Sequence, residues 1–354
     1  MGRATARSKR LHDVTDLVPP HLGVLTILKN LFILSLSSSG RQAEYKRTLQ
    51  HRKTSIADAL QERLAAENRR VLSDWRAVIY LRRASSEIPP AQRRWKTAPR
   101  NVLEMRPILN RLSKVGELVP LENFPLLYRV NAPYARSGAV EEEEVLMELH
   151  PYAALSHISA LTFHQMTEQL SKDIHVSIPD NSPGRFLPLG TRVEDWEGVP
   201  LVRGQVADSI FHRKIHWHRL VSKRIFGTSE FDYHGYPVRV TTPERTLLDS
   251  LLQPDWCGGF VNVLRAWAGY RDLVSVNELV RYVDQFDIHL LRQRAGFLME
   301  ELGLRHPALH TWVTQARRGG SSKLNGGAKF SSEFSERWQL SINAPIHVLR
   351  EART

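Results

Sequence analysis

The pattern of apolar and polar positions becomes orderly from about Leu72. Trp75, Val78, Ile79 and Leu81 recur at helical spacing, with Ser73 placed as an N-cap and Glu87-Ile88-Pro89-Pro90 closing the run. A connector follows. Then Val102, Met105, Ile108, Leu109, Leu112 and Val115 gather on one arc of a second helix. Arg106, Asn110, Arg111, Ser113 and Lys114 fall opposite, and only Leu103 is misplaced. Pro107 interrupts this run; inside a helix proline costs about 3 kcal/mol, so the helix is expected to start or kink there. Gly116 ends it. Glu117–Leu121 and Leu126–Val130 flank a turn at Glu122–Pro125, which reads as a hairpin. Helix, connector, polar-faced helix and hairpin is the order of a winged helix-turn-helix.

The remaining two thirds alternate helix and strand signals. Pro151–Gln165 has helical periodicity through Leu155, Ile158, Leu161 and Thr162, and Ile174–Ile178 alternates as a strand. Ile215–Val221 is a second strand, and Phe231–Tyr233 with Tyr236–Val240 form a hairpin across His234-Gly235. Thr242-Pro243-Glu244 supplies an N-cap, a first-position proline and a first-turn acid, opening a helix that carries Leu247, Leu248 and Leu251 to Pro254. Further helices are expected near Phe260–Ala268, Val276–Gln285 and Ile288–Leu302, a loop over Arg318–Gly327, and a late strand at Arg337–Asn343. Gly138 and Glu141–Glu144 mark a hinge whose acidic run reads as a solvated helix start. The expected organisation is α+β. A basic, poorly ordered head spans 1–71, with a helix pattern only at Ile56–Leu64, and reads as a start placed upstream of the true one. A winged helix-turn-helix spans 72–135, a hinge 136–144, a mixed α+β domain 145–345 and a tail 346–354.

Charge sharpens this division. Residues 1–115 hold 23 Lys and Arg against 9 Asp and Glu, whereas the rest hold 26 against 28. Segregation of this kind marks a polyanion-binding module beside a neutral one. Arg106 and Arg111 suit guanine edges and Asn110 an adenine, while Arg93, Arg94, Lys96, Arg100 and Lys114 suit phosphates of double-stranded DNA. The lone Cys257 excludes an intramolecular disulfide framework and fits a reducing cytoplasm. The apolar Leu22–Leu36 is interrupted by Lys29 and is too short to span a bilayer, and no A-x-A site follows it, so no membrane role is expected.

Catalytic chemistry finds little support. His212, His216 and His218 form H-x3-H-x-H, with the last two on one strand face, but no carboxylate or thiolate completes a zinc site, so no metal is expected. Glu244 and Asp249 stand at i and i+5 and do not share a helix face. Gly258-Gly259 lacks the Lys-Ser/Thr of a phosphate loop, and no nucleotide or other cofactor is expected. Ser156 and His157 are adjacent, which points them apart. The chain reads as a non-enzyme.

Four stretches resemble the AbiEi-type antitoxins, often described as predicted transcriptional regulators of viral defence systems. They are Tyr152–Leu161; Val240–Asp249 followed by Pro254 and Gly258-Gly259; Arg294–Gly303; and Gly320-Ser321-Ser322 with Arg337-Trp338. Together they cover residues 72–343 in the family's order, although the head has no counterpart and Pro107 departs from the DNA-reading region. The resemblance implies an antitoxin of a type IV toxin–antitoxin pair linked to abortive infection by phage. Such a protein represses its own promoter by binding inverted repeats and counteracts a nucleotidyltransferase toxin, with or without a stable complex. Its motif residues Ser156, Thr242, Glu244, Arg245, Asp249, Gly258, Gly259, Arg294 and Gly296 are expected to be structural. The other readings are a stand-alone winged-helix regulator and a DNA-targeted nuclease-like defence enzyme.

Overall fold

The computed structural model describes residues 53–131, 138–180, 186–319 and 322–351. Eleven α-helices and eleven strands occur among them in a mixed α+β order. The chain divides into two compact units. Among the described residues the smaller comprises 53–70, 76–120 and 129–131, and the larger 71–75, 121–128 and everything from Gly138. No helix among the described residues is long and apolar enough to cross a membrane. The apolar Leu22–Leu36 and most of the expected head lie outside the described residues.

The smaller unit begins with α1 (Ile56–Ala66), which matches the helix pattern at Ile56–Leu64 within the span otherwise expected to be a poorly ordered head. A reciprocal capping box fixes its start: Asp58 N–H donates to Ser55 Oγ and Ser55 N–H to the Asp58 carboxylate, both at 3.2 Å. Its Leu60 and Leu64 are fully buried. Strand β1 (Val71–Ser73), whose residues belong to the larger unit, leads directly into α2 (Asp74–Glu87), which stops ahead of Pro89-Pro90 as expected. Helix α3 (Val102–Lys114) is capped by Asn101, whose side chain accepts from Glu104 N–H, and buries Met105, Leu109 and Leu112. It neither starts nor stops at Pro107. Proline sits on the exposed side, where water can take the Leu103 carbonyl left without its donor. Strands β2 (Leu118–Leu121) and β3 (Phe124–Val130) join β1 in a three-stranded sheet of order β1-β3-β2, of which β1 and residues 121–128 are counted with the larger unit.

The larger unit is built on a six-stranded sheet, order β6-β7-β5-β4-β9-β8. Its strands are β4 (Ala154–Leu155), β5 (Ile174–Pro179), β6 (Ser209–Ile210), β7 (Arg213–Leu220), β8 (Thr228–Tyr233) and β9 (Tyr236–Thr241). Strands β5 and β7 run parallel, pairing His175 with His216 and Ser177 with His218. Side chains alternate along a strand. One face therefore presents Ile174, Val176, Ile178 and Ile215 to a core shared with α4 (Glu142–Leu149), and the other presents the histidines. A second core is helical, formed by α5 (His157–Phe163), α6 (Pro243–Leu252), α7 (Phe260–Tyr270), α8 (Val276–Phe286), α9 (His289–Glu301) and α10 (Ala308–Thr314) around Trp267 and Trp338.

Several expectations are corrected. Pro151–Gln165 is not one helix, because Ala154 and Leu155 pair with β5 and β9 and leave only His157–Phe163 to α5. The acidic run is not a solvated helix start throughout. Glu144 and Glu148 are each 1% exposed. Val71 N–H donates to Glu144, Ser73 Oγ to the Glu148 carboxylate at 2.5 Å, and the Trp75 indole to the Glu148 carbonyl at 2.9 Å. Ser73 therefore spends its hydroxyl on Glu148 rather than acting simply as an N-cap. Part of the expected hinge, residues 136–137, lies outside the described residues, and Glu142 already belongs to α4. The late strand shrinks to β11 (Leu340–Ser341), paired with β10 (Phe334–Ser335), and the expected tail carries α11 (His347–Glu351) with Ile346 and Leu349 buried.

A chain shortened to begin at Glu141 should not fold normally. It lacks Val71, Phe124 and Leu127, which share the sheet core, and the donors to Glu144 and Glu148. Thermal melts and dye binding should show lost cooperativity and exposed apolar surface; a sharp transition matching the full chain would contradict this description.

Candidate functional site

The DNA-contact candidates all fall in the smaller unit. On α3, Arg106, Asn110 and Lys114 follow at four-residue intervals, forming one exposed stripe, and Arg111 lies in the next stripe beside it. Arg94, Lys96 and Arg100 are exposed on the connector. Arg93 is different: its guanidinium donates to the Ser85 carbonyl at 2.5 Å and lies over the Trp95 ring, which ties it to the end of α2. Arg94 Nε donates to the Lys53 carbonyl at 3.1 Å. The hairpin places Phe124 and Leu127 in buried positions, and its tip carries the acidic Glu122, so no phosphate contact is assigned to the tip.

In the larger unit, the motif residues converge around α6. Thr242 accepts from Arg245 N–H as the N-cap. The Glu244 carboxylate accepts from Ser275 N–H at 2.9 Å, which anchors the start of α8 rather than capping its own helix. Arg245 and Asp249 form a pair at 2.9 Å, with side chains 2% and 7% exposed. The i, i+4 spacing alone suggests a surface pair; burial makes it part of the core. Arg245 also donates to the carbonyls of Arg224 and Phe226 at 3.0 Å and lies between the Phe226 and Phe286 rings. Burial pushes the Asp249 carboxyl above the usual range against the pull of Arg245, and its Oδ2 has no hydrogen-bond partner among the described residues.

Further along, Arg294 is buried, donates to the Leu251 and Lys323 carbonyls, and is pushed down to about 10 by desolvation. Gly296 faces Trp338: a Cβ there would lie 2.1 Å from the indole. Gly258 and Gly259 both hold left-handed φ, at +80° and +87°, between Cys257 and α7. These motif side chains are spent on the fold.

Ser156 and His157 are not pointed apart. His157 takes φ +52°, and Ser156 Oγ lies 2.9 Å from its Nδ1. This places the His157 ring beside the histidines of the sheet, 4.3 Å from His218 between centroids. His175 Nδ1 and His218 Nε2 are 3.1 Å apart, and His216 Nε2 is 2.7 Å from the Asp173 carboxylate. His212 precedes β7 and stays exposed, outside the group. Burial holds His157 and His218 down at about 3 and His175 at about 4, so all three are neutral at neutral pH. The adjoining cavity, about 690 Å³, is lined by His157, His218, Arg224, Arg245, Asp249 and Trp256 among others. Alternation along β7 points to His216 and His218. The contributions of His157 and His175 depend on strand order and a strained turn that no local pattern encodes.

No family model and no curated protein matches the chain. Among solved structures it is similar to the crystal structure of the RV2827C protein from Mycobacterium tuberculosis, at 12% identity over 84% of this chain and 95% of that one, with a TM-score of 0.47. Likeness at that level assigns neither family nor activity.

Substitutions along α6 should separate shape from charge. Leu248→Ala empties a fully buried position and should cost about 2–5 kcal/mol. Thr242→Ala removes one cap, about 1 kcal/mol. Glu244→Gln keeps an acceptor for Ser275 N–H, so its denaturation midpoint should stay near that of the parent. A large fall for Glu244→Gln in chemical denaturation would reverse this ranking.

Proposed function

We propose that the protein is a DNA-binding repressor and antitoxin. Residues 72–130 act as a winged helix-turn-helix on double-stranded DNA, and the larger unit counteracts a nucleotidyltransferase toxin in the cytoplasm. The observation that carries the DNA reading is the outer face of α3. Its inner face is buried by Met105, Leu109 and Leu112, whereas Arg106, Asn110, Arg111 and Lys114 stand outward. A helix anchored on one side and cationic on the other suits the major groove, with Arg106 and Arg111 toward guanine and Asn110 toward adenine. Arg94, Lys96 and Arg100 supply phosphate contacts nearby. Arg93, already engaged with Ser85 and Trp95, positions the connector instead. The antitoxin half of the proposal rests on the family resemblance of the motifs at Tyr152–Leu161, Val240–Asp249 and Arg294–Gly303.

The reading makes binding to the chain's own promoter steeply salt-dependent. Neutralising about four phosphates gives a log–log slope of about −3.6. Gel-shift titrations over a range of salt measure this directly, and a flat response would exclude the α3 surface as a polyanion site. Arg106→Ala and Asn110→Ala should narrow the gap between promoter and random DNA, by about 1–3 kcal/mol for each base edge no longer read. Arg94→Ala should weaken both about equally. Co-expression with the neighbouring gene tests the antitoxin half: growth rescue is expected, and continued arrest with a folded protein would leave a repressor without a toxin partner.

A further inference from the structure

We propose that His157, His175 and His218 form a binding site for one divalent transition-metal ion of the zinc class, with its fourth coordination position toward the adjoining cavity. The three side chains come from three elements: the start of α5, β5 and β7. One ring nitrogen from each lies within 4.8 Å of the others. Zinc–imidazole bonds of about 2.0–2.1 Å in a tetrahedral site separate the nitrogens by about 3.3 Å. The His175–His218 separation of 3.1 Å is already near that value, and small ring rotations would bring His157 to it. Ser156 takes up His157 Nδ1, leaving Nε2 of that ring for the ion. A hydroxyl of this kind sets ring orientation and tautomer in metal sites.

The surroundings suit a cation as well as the ligands do. Neutral imidazoles select zinc, cobalt, nickel or copper over the oxygen-seeking calcium and magnesium. Asp249 lines the same cavity, buried, with Oδ1 engaged by Arg245 and Oδ2 without a hydrogen-bond partner among the described residues, so one carboxylate oxygen is left for a cation or its bound water beside the ligands. A second carboxylate, Asp173, acts through His216, whose ring stacks on His175 at 4.6 Å. The Trp256 indole stacks on His218 at 4.2 Å and meets His157 edge-on at 5.1 Å, covering one side of the group. His157 holds a left-handed backbone that a non-glycine residue adopts at a cost, and that turn carries its ring to the other two. Three protein ligands with an open fourth position leave room for water or an anionic oxygen from the cavity. The site stands independently of the DNA-binding reading, since its residues all belong to the larger unit.

The purified full chain, stripped with chelator and dialysed against zinc, should retain about one equivalent by elemental analysis. Cobalt loading should give the intense visible bands of a four-coordinate site. His175→Ala and His218→Ala should abolish both signals, Ser156→Ala should weaken zinc binding by about 10–100-fold, and His212→Ala should leave it unchanged. The cobalt spectrum of the parent chain decides the matter even where a variant fails to fold. A folded parent chain with no retained zinc and only the weak spectrum of hydrated cobalt would overturn the proposal, leaving a hydrogen-bonded histidine stack. Retention of zinc by folded His175→Ala and His218→Ala would overturn it equally.

Discussion

The buried Arg245–Asp249 pair is the constraint on which the larger unit depends. A guanidinium can leave water only if its donors and charge are answered, and here one carboxylate, two backbone carbonyls and two aromatic rings do so. Those partners come from α6, from the segment joining β7 to β8, and from α8. One side chain therefore fixes the helical layer against the end of the sheet. Removing either member strands a buried charge, at a cost of about 3–5 kcal/mol. The cavity beside the histidines is lined by both members of this pair together with residues of β7. Asp249, with one oxygen engaged and one not, faces both the scaffold and the cavity.

The sequence disclosed elements wherever the determining signal was local. Thr242-Pro243 opens α6 because a hydroxyl acceptor and a preset φ act within one turn. Strand alternation in Ile174–Ile178 and the His234-Gly235 turn were legible for the same reason. Distant partners were not legible. Leu155 fits helical spacing, yet its backbone is taken by β5 and β9. Glu144 reads as a solvated acid until Val71, about seventy residues earlier, supplies its donor. The site divides in the same way. His216 and His218 share a face by simple alternation, whereas bringing His157 and His175 to them needed parallel pairing of β5 with β7 and a left-handed turn.

The same physical distinction separates scaffold from surface. Thr242, Glu244, Arg245, Arg294 and Gly296 have their polar groups or their space taken by neighbours, so their chemistry is spent internally. Arg106, Asn110, Arg111 and Lys114 instead leave their polar ends on the outer face of an anchored helix. Cations in that position are available to a polyanion without disturbing the core, and the charge excess of the first 115 residues supplies the long-range attraction that would bring one there.

Hydrogen–deuterium exchange on the full chain, with and without its own promoter DNA, tests this division most directly. The account predicts slowed exchange confined to the connector at 93–100 and to α3, with α6 unchanged because its amides are already protected by the core. Protection centred on α6 and the 242–249 motif, with α3 unaffected at saturating DNA, would contradict it.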